Sequence, residues 1–371
     1  MIRRLFRTID PFIILVTFVV AMGLSALFSI GVAARDFEPW NQVLYVAIGV
    51  GVMTVAARVN YQVWRRYAFW IYLIVIILLI LVLFLAPIQG SSRWIDIGPF
   101  QLQPSEFAKL SLIVLLARVL SQETQISLWR FFLSILYTAI PFGLVVIQPD
   151  LGTTLVFAAI WLLMIVMANV KRQYLIILFT TGLLAIPIGL PLLKPYQRDR
   201  LLTFMSPASD LRGSGYNVNQ ATIAIGNGGW LGANVQDASQ SELKFLPSQH
   251  TDFIFAVIAE KFGFVGSILV MFGLVAIIGR AIFVGWRSPD KFGLLLAIGI
   301  AAMLATHTII NIGMNLRLMP VTGLPLPFLS YGGSHIVVDF LLIGILLSII
   351  RHNQDLRFAG GKRATNIELS S

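Results

Sequence analysis

The sequence predicts an all-α polytopic membrane protein, with ten transmembrane helices and a large extracytoplasmic loop between the seventh and the eighth. Three observations carry that expectation. Hydrophobic residues make up 57% and charged residues 12% of the 371 positions, against about 25% charged in an ordinary soluble domain. Too few polar side chains remain to coat a water-facing surface, and a mean hydropathy of +0.85 excludes a disordered chain as well. Long apolar runs bounded by Arg or Lys recur along the chain, without the alternation of barrel strands. The absence of cysteine excludes a disulfide framework, a thiolate metal site and a cysteine nucleophile.

The ten runs are Pro11–Ala34, Gln42–Ala57, Tyr67–Ala86, Ser105–Leu120, Phe131–Ile147, Leu151–Ala168, Tyr174–Leu193, Phe253–Gly279, Phe292–Met314 and Ser334–Ile350. A spanning helix needs about 20 mainly apolar residues; the second, fourth and tenth runs are short and the eighth is long. The first run ends on Val32-Ala33-Ala34, which has the form of a signal-peptide cleavage site. Its 24 apolar residues exceed the about 7–15 of a cleaved segment, so it is expected to remain as a helix.

Basic residues then set the sidedness. With Arg3, Arg4 and Arg7 in the cytoplasm, alternation places Arg58, Arg65, Arg66, Arg118, Arg130, Lys171, Arg172, Arg280, Arg287 and Lys291 there too. The cytoplasmic tail, 351–371, adds four more, so 17 of the 27 Lys and Arg lie inside. The outer loop, 194–252, holds five basic and five acidic residues and is neutral. Both termini are expected in the cytoplasm, and the net charge of +10 is a topology signal, with no nucleic-acid binding implied. From Gly360-Gly361-Lys362 the tail reads as a short disordered end.

Polar and Gly/Pro-rich stretches collect on the outer side. The 59-residue loop is far longer than a structureless connection of about 12–15 residues, and Phe204, Tyr216, Trp230 and Phe245 within it argue against disorder. Helices four, six, eight and ten begin on that side, where their unpaired N–H groups favour anions.

Local chemistry leaves two readings at each candidate. Gln103-Pro104-Ser105-Glu106 has proline at the first helical position and an acid in the first turn, both fitting a helix start. Glu106 and Lys109 share a face; they form either a structural ion pair or a pair in which Lys109 meets an anionic substrate from a polar cavity. Asp150 is either an N-cap or a site acid. Asp252 is either the cap of helix eight or a carboxylate general base at the membrane surface. Arg198 and Arg200 suit phosphate binding or simple solvation. Asp339 is expected to face the bundle, with Arg317 or a hydroxyl as its partner. The four histidines show no ligand spacing for a metal, and His307 and His335 read as satisfied helix contacts.

Taken in order, these stretches resemble one family. They are Ser92-Arg93-Trp94-Ile95, Gln103-Pro104-Ser105-Glu106 with Lys109, Gln148-Pro149-Asp150-Leu151-Gly152-Thr153, Gly215-Tyr216-Asn217, Phe245-Leu246-Pro247, His250-Thr251-Asp252-Phe253, Asn311-Ile312-Gly313-Met314 and Pro325-Leu326-Pro327-Phe328-Leu329-Ser330-Tyr331-Gly332-Gly333-Ser334. The chain is identified by them as resembling the SEDS membrane glycosyltransferases of bacterial wall synthesis over nearly its whole length, as a single domain 1–371. Asn311-Ile312-Gly313-Met314 ahead of Pro320-Val321-Thr322-Gly323 looks like the cell-elongation branch. Arg317, Lys261, His335 and Asp339 depart from the usual pattern.

The resemblance implies a peptidoglycan glycosyltransferase that polymerises lipid II on the periplasmic face of the cytoplasmic membrane. Asp252 matches the family's essential acid and would take the proton of the attacking sugar hydroxyl. Lys109, Arg93, Arg198 and Arg200 are candidates to stabilise the leaving diphosphate, with helix N-termini or a divalent cation such as magnesium as other sources of charge. Glu106 would orient Lys109, while Gln103, Asp150 and Ser330 lie in the matching motifs as substrate-binding candidates. The implied partners are a class B penicillin-binding protein, other elongation-machinery membrane proteins and membrane lipid. Two other classes are a lipid II flippase, which calls for inverted repeats and mid-membrane titratable groups, and a non-catalytic scaffold for a transpeptidase.

Overall fold

The computed structural model of the chain describes residues 10–31, 38–86, 92–98, 100–189, 204, 214–233 and 248–368. Its elements are helices α1 (Pro11–Gly31), α2 (Pro39–Arg58) and α3 (Gln62–Val82), strands β1 (Ile95–Ile97) and β2 (Phe100–Leu102), and helices α4 (Pro104–Leu120), α5 (Leu128–Ile147), α6 (Leu151–Met167) and α7 (Arg172–Gly189). Four helices follow: α8 (Ser214–Asn227), α9 (Ile254–Trp286), α10 (Lys291–Asn315) and α11 (Gly333–Glu368). Each expected apolar run overlaps a helix within the described residues. Among the described residues, seven helices are long and apolar enough to cross a membrane: α1, α2, α3, α5, α9, α10 and the Gly333–Asn353 part of α11. The chain is a multi-pass helical membrane protein.

Burial sorts the helices into centre and periphery. α4 buries 15 of its 17 residues and α10 buries 20 of its 25, so these two form the axis. α10 packs on α9, α6 and α4, α4 also packs on α3, and α11 lies along α2. Close approach at the axis depends on Gly299, where an added Cβ would fall 2.6 Å from Ile113 Cγ2. α2, α3 and α5 keep most of their apolar side chains outward, as helices facing lipid must. α4 carries Ser105, Glu106, Lys109 and Ser111 and, at 17 residues, reaches only about 26 Å; it is shielded from lipid by its neighbours.

Three features differ from the layout expected of the sequence. A two-stranded antiparallel hairpin precedes α4, pairing Ile95 with Leu102 and Asp96 with Gln101. Its turn begins at Gly98, whose φ of +68° is the left-handed conformation that a two-residue hairpin turn requires. Strands of three residues are too short to register beside ten apolar runs. The second difference is a break in α9, which runs 33 residues with a non-helical Gly263 at φ 64°, ψ −164°. The segment after α8 lies along that break: Phe264 N–H donates to Gly229 O, Val265 N–H to Trp230 O, and Ala233 N–H to Glu260 O. The third is the tail, whose backbone stays helical to Glu368 beyond the expected end at Ile350. No proline interrupts that stretch, and each of its two glycines lowers helix propensity by only about 1 kcal/mol.

Between α7 and α9, α8 turns Val218, Ala221 and Ala224 onto Phe253 and Ala256 at the start of α9. This small cluster fixes the entrance to α9, where Asp252 lies.

Candidate active site

Asp252 sits in a turn closed on Ser248 O, which accepts from the N–H groups of Thr251, Asp252 and Phe253. The residue is half-buried. Phe253 occupies the N-cap position of α9, one residue after Asp252. Its carbonyl oxygen accepts from Asn311 Nδ2 at 3.0 Å and from Asn315 Nδ2 at 3.2 Å. The carboxylate faces Gly323, where an added Cβ would lie 3.6 Å from Asp252 Oδ2. Gly323 has φ +76°, which favours glycine.

Ser330 joins the same corner. Its hydroxyl donates to Thr251 O at 2.6 Å and accepts from Leu326 N–H at 2.8 Å, so it fastens the turn bearing Asp252 to the segment after α10. Gln42 of α2 donates to Ser330 O and accepts from Gly332 N–H, both at 3.0 Å. Tyr331 N–H donates to His250 O, and the two rings meet edge-on at 5.6 Å. Burial raises the Tyr331 phenol above its ordinary value.

Glu106 and Lys109 form a second, deeper cluster. Lys109 is completely buried; its Nζ lies 2.7 Å from Glu106 Oε1 and 2.9 Å from His307 Nε2. His307 Nδ1 is 3.1 Å from Pro325 O. A neutral imidazole with its proton on Nδ1 satisfies both contacts, donating to the carbonyl and accepting from the ammonium. Glu106 Oε2 and Ser105 Oγ are buried without a partner. Asp339 Oδ2 accepts from Phe328 N–H at 3.0 Å, a backbone group where Arg317 or a hydroxyl was expected, and Phe328 has φ +65°; Arg317 donates to Asn219 Oδ1 of α8.

The remaining candidates are spread out. Arg93 donates to Gln148 O at 2.8 Å and to Pro149 O at 2.5 Å, fixing the hairpin to the α5–α6 connection. Asp150 is the N-cap of α6: Oδ1 accepts from Thr153 N–H and Oδ2 from Thr153 Oγ1. Gln103 is the N-cap residue of α4, and its N–H donates to Ser334 Oγ at 2.9 Å. Arg198 and Arg200 lie outside the described residues. Among the described residues, no three His, Cys, Asp or Glu gather to hold a metal ion.

Asn315 was not singled out by sequence reasoning, and His307 was assigned only a helix contact. A signal was present: His307, Asn311 and Asn315 repeat every fourth position in a helix otherwise nearly all apolar, and so line one face. Together these residues place a half-buried carboxylate, with its backbone fixed, at the mouth of α9. That arrangement is suited to accepting a proton from a hydroxyl held at the membrane surface.

Comparison with known proteins follows this layout. A family model described as "Cell cycle protein", covering FtsW, RodA and SpoVE, matches residues 3–355. Stage V sporulation protein E of Bacillus subtilis (strain 168) is 34% identical over 357 residues, covering 92% of this chain and 96% of that protein. "Peptidoglycan glycosyltransferase MrdB" of Escherichia coli (strain K12) is 36% identical over 314 residues, covering 84% and 85%. A solved structure described as "Structural coordination of polymerization and crosslinking by a peptidoglycan synthase complex" superposes with a TM-score of 0.79 at 30% identity, covering 92% of this chain and 97% of that one.

Proposed function

The chain belongs to the FtsW, RodA and SpoVE family, and from that premise we propose that it is a peptidoglycan glycosyltransferase using Asp252 as its general base. The substrate is lipid II, polymerised at the outer face of the bacterial cytoplasmic membrane during cell elongation. Ten helices cross that membrane, the loop 194–252 lies outside, and both termini are cytoplasmic. The acceptor hydroxyl oxygen forms a bond to the anomeric carbon of the donor while the bond from that carbon to the lipid diphosphate breaks. Asp252 takes the hydroxyl proton, and the diphosphate departs as an anion.

The observation that carries this reading is the position of Asp252: half-buried, at the entrance of α9, with its carbonyl held from α10. Arg93, Arg198 and Arg200 supply positive charge toward the diphosphate, as do the helix N-termini. Lys109 gives two of its three N–H donors to Glu106 and His307, and His307 carries that contact on to Pro325 O, so Glu106 orients a lysine whose charge remains on the side of the diphosphate. A divalent cation bound by protein ligands alone finds no cluster among the described residues, so no step is assigned to one. A class B penicillin-binding protein is the partner, alongside other elongation-machinery proteins and membrane lipid.

Asp252→Asn tests the reading. The amide keeps the size but accepts no proton at neutral pH, and general-base assistance is worth about 10²–10⁴-fold. Detergent-purified Asp252→Asn given labelled lipid II is expected to make glycan ladders at less than about a hundredth of the unmodified rate. Ladders at more than about a tenth of that rate would remove Asp252 as the base.

A further inference from the structure

Two asparagines sit fully buried in α10, one and two turns beyond His307 in a mainly apolar helix. A buried amide is costly unless its hydrogens are paired. Both hydrogens of Asn311 are committed, one to Asp252 O at 3.0 Å and one to Leu324 O at 2.7 Å. Asn315 donates to the same Asp252 carbonyl at 3.2 Å and to Asn311 O at 2.9 Å. Asp252 O therefore receives two amide donors from successive turns of one helix. Leu324 follows Gly323, the residue the Asp252 carboxylate faces, so Asn311 bridges the acid's own carbonyl and the chain segment opposite it.

The turn does not depend on these bonds for closure. Three N–H groups already converge on Ser248 O, and Ser330 already holds Thr251 O. The asparagines act instead on the peptide plane that follows Asp252 Cα, one of the two planes that together orient its Cα–Cβ bond; the preceding plane is held by Ser248 and Ser330. We propose that Asn311 and Asn315 are positioning residues for the general base, fixing where the Asp252 carboxylate points relative to Gly323; this rests on the reading of Asp252 as base. Neither side chain needs to touch substrate. A misplacement of about 1 Å at a reacting group lowers rate by about 10²-fold, so loss of the clamp should lower turnover and leave substrate capture in place.

The test uses the full-length protein in detergent with labelled lipid II, measuring kcat, KM and thermal midpoint. Asn311→Leu removes both bonds at similar volume, and Asn311→Asp replaces the donors with an acceptor facing two carbonyls. Each is made in the unmodified and the Asp252→Asn backgrounds. Expected are a kcat lower by about 10- to 100-fold and a KM within about twofold for Asn311→Leu, with a larger kcat loss for Asn311→Asp. In the Asp252→Asn background, Asn311→Leu should lower the residual rate no further, because a residue acting only through the base has nothing left to position. An unchanged kcat, a change confined to KM, or an equal fold-loss in both backgrounds would overturn the proposal. Should Asn311→Leu fail to fold, Asn315→Ala, which removes one of the two bonds to Asp252 O, is held to the same criteria. Asp252→Asn by itself separates the two ideas: if it stays active, the base assignment falls and the positioning role with it. If it is inactive while Asn311→Leu is fully active, only the positioning role falls.

Discussion

Lys109 and Glu106 are joined where almost no water reaches them, at 0% and 3% side-chain exposure. Taking two charges out of water is expensive, and removing one partner of such a pair costs about 3–5 kcal/mol because the other is left uncompensated. Lys109→Met should therefore lower the thermal midpoint sharply, and Glu106→Gln combined with Lys109→Met should recover much of the loss, since both charges are then gone. A double variant no more stable than Lys109→Met alone would show that the pair is not what makes the single change costly. At this scale the sequence was readable where partners are close in the chain. The i,i+3 spacing of Glu106 and Lys109 and the first-turn cap at Asp150 follow from helix geometry alone. His307, 198 positions from Lys109, joins the pair only because α4 and α10 lie against each other. The bond from Asp339 to Phe328 N–H was equally hidden, because it depends on a left-handed residue in an irregular segment.

The break in α9 shows how an element depends on a neighbour distant in sequence. Gly263 leaves the helix, and the backbone groups around it pair with Gly229, Trp230 and Ala233. That pairing requires the chain after α8 to press against α9: a Cβ on Gly228 would fall 1.9 Å from Ala259 O, backbone that cannot swing aside. Gly228→Ala is expected to destabilise by at least about 1–3 kcal/mol, the usual range for overpacking, and to lower polymerase activity by loosening the start of α9. Gly226→Ala, two positions earlier, meets nothing within 4 Å and should be neutral or stabilising by up to about 1 kcal/mol. Thermal midpoints of the two variants side by side would check this, and equal midpoints would contradict the packing. Apolar runs announced the helices because lipid leaves a chain little choice but to pair its backbone internally. The α9 break was illegible because a lone glycine in an apolar run is ordinarily tolerated, and nothing local names the partner that makes it a bend.

Across the whole molecule, helix ends gather into two groups of different character. At one end lie the starts of α4, α9 and α11 and the finish of α10, joined by Gln103 to Ser334, Ser330 to Thr251 and Asn315 to Asp252. At the other lie the starts of α3 and α10 and the loop after α4. There Asp290 accepts from Tyr61 and Gln62, and Lys291 donates to the carbonyls of Glu123 and Ala168. Arg58, Arg65, Arg66, Arg118, Arg130 and Arg287 belong to this second end by their places in the helices, and a basic excess faces the cytoplasm. The orientation proposed above then puts Asp252 outward with α8 beside it. The chain has no cysteine of its own, so single cysteines report this directly. Gly226 on α8 and Gln125 in the loop after α4 are both exposed. With a membrane-impermeant maleimide on intact cells, Gly226→Cys is expected to be labelled and Gln125→Cys to be labelled only after permeabilisation. The reverse pattern would put Asp252 on the cytoplasmic side, and a base there could not serve a polymerase that builds outside the membrane, whatever its geometry.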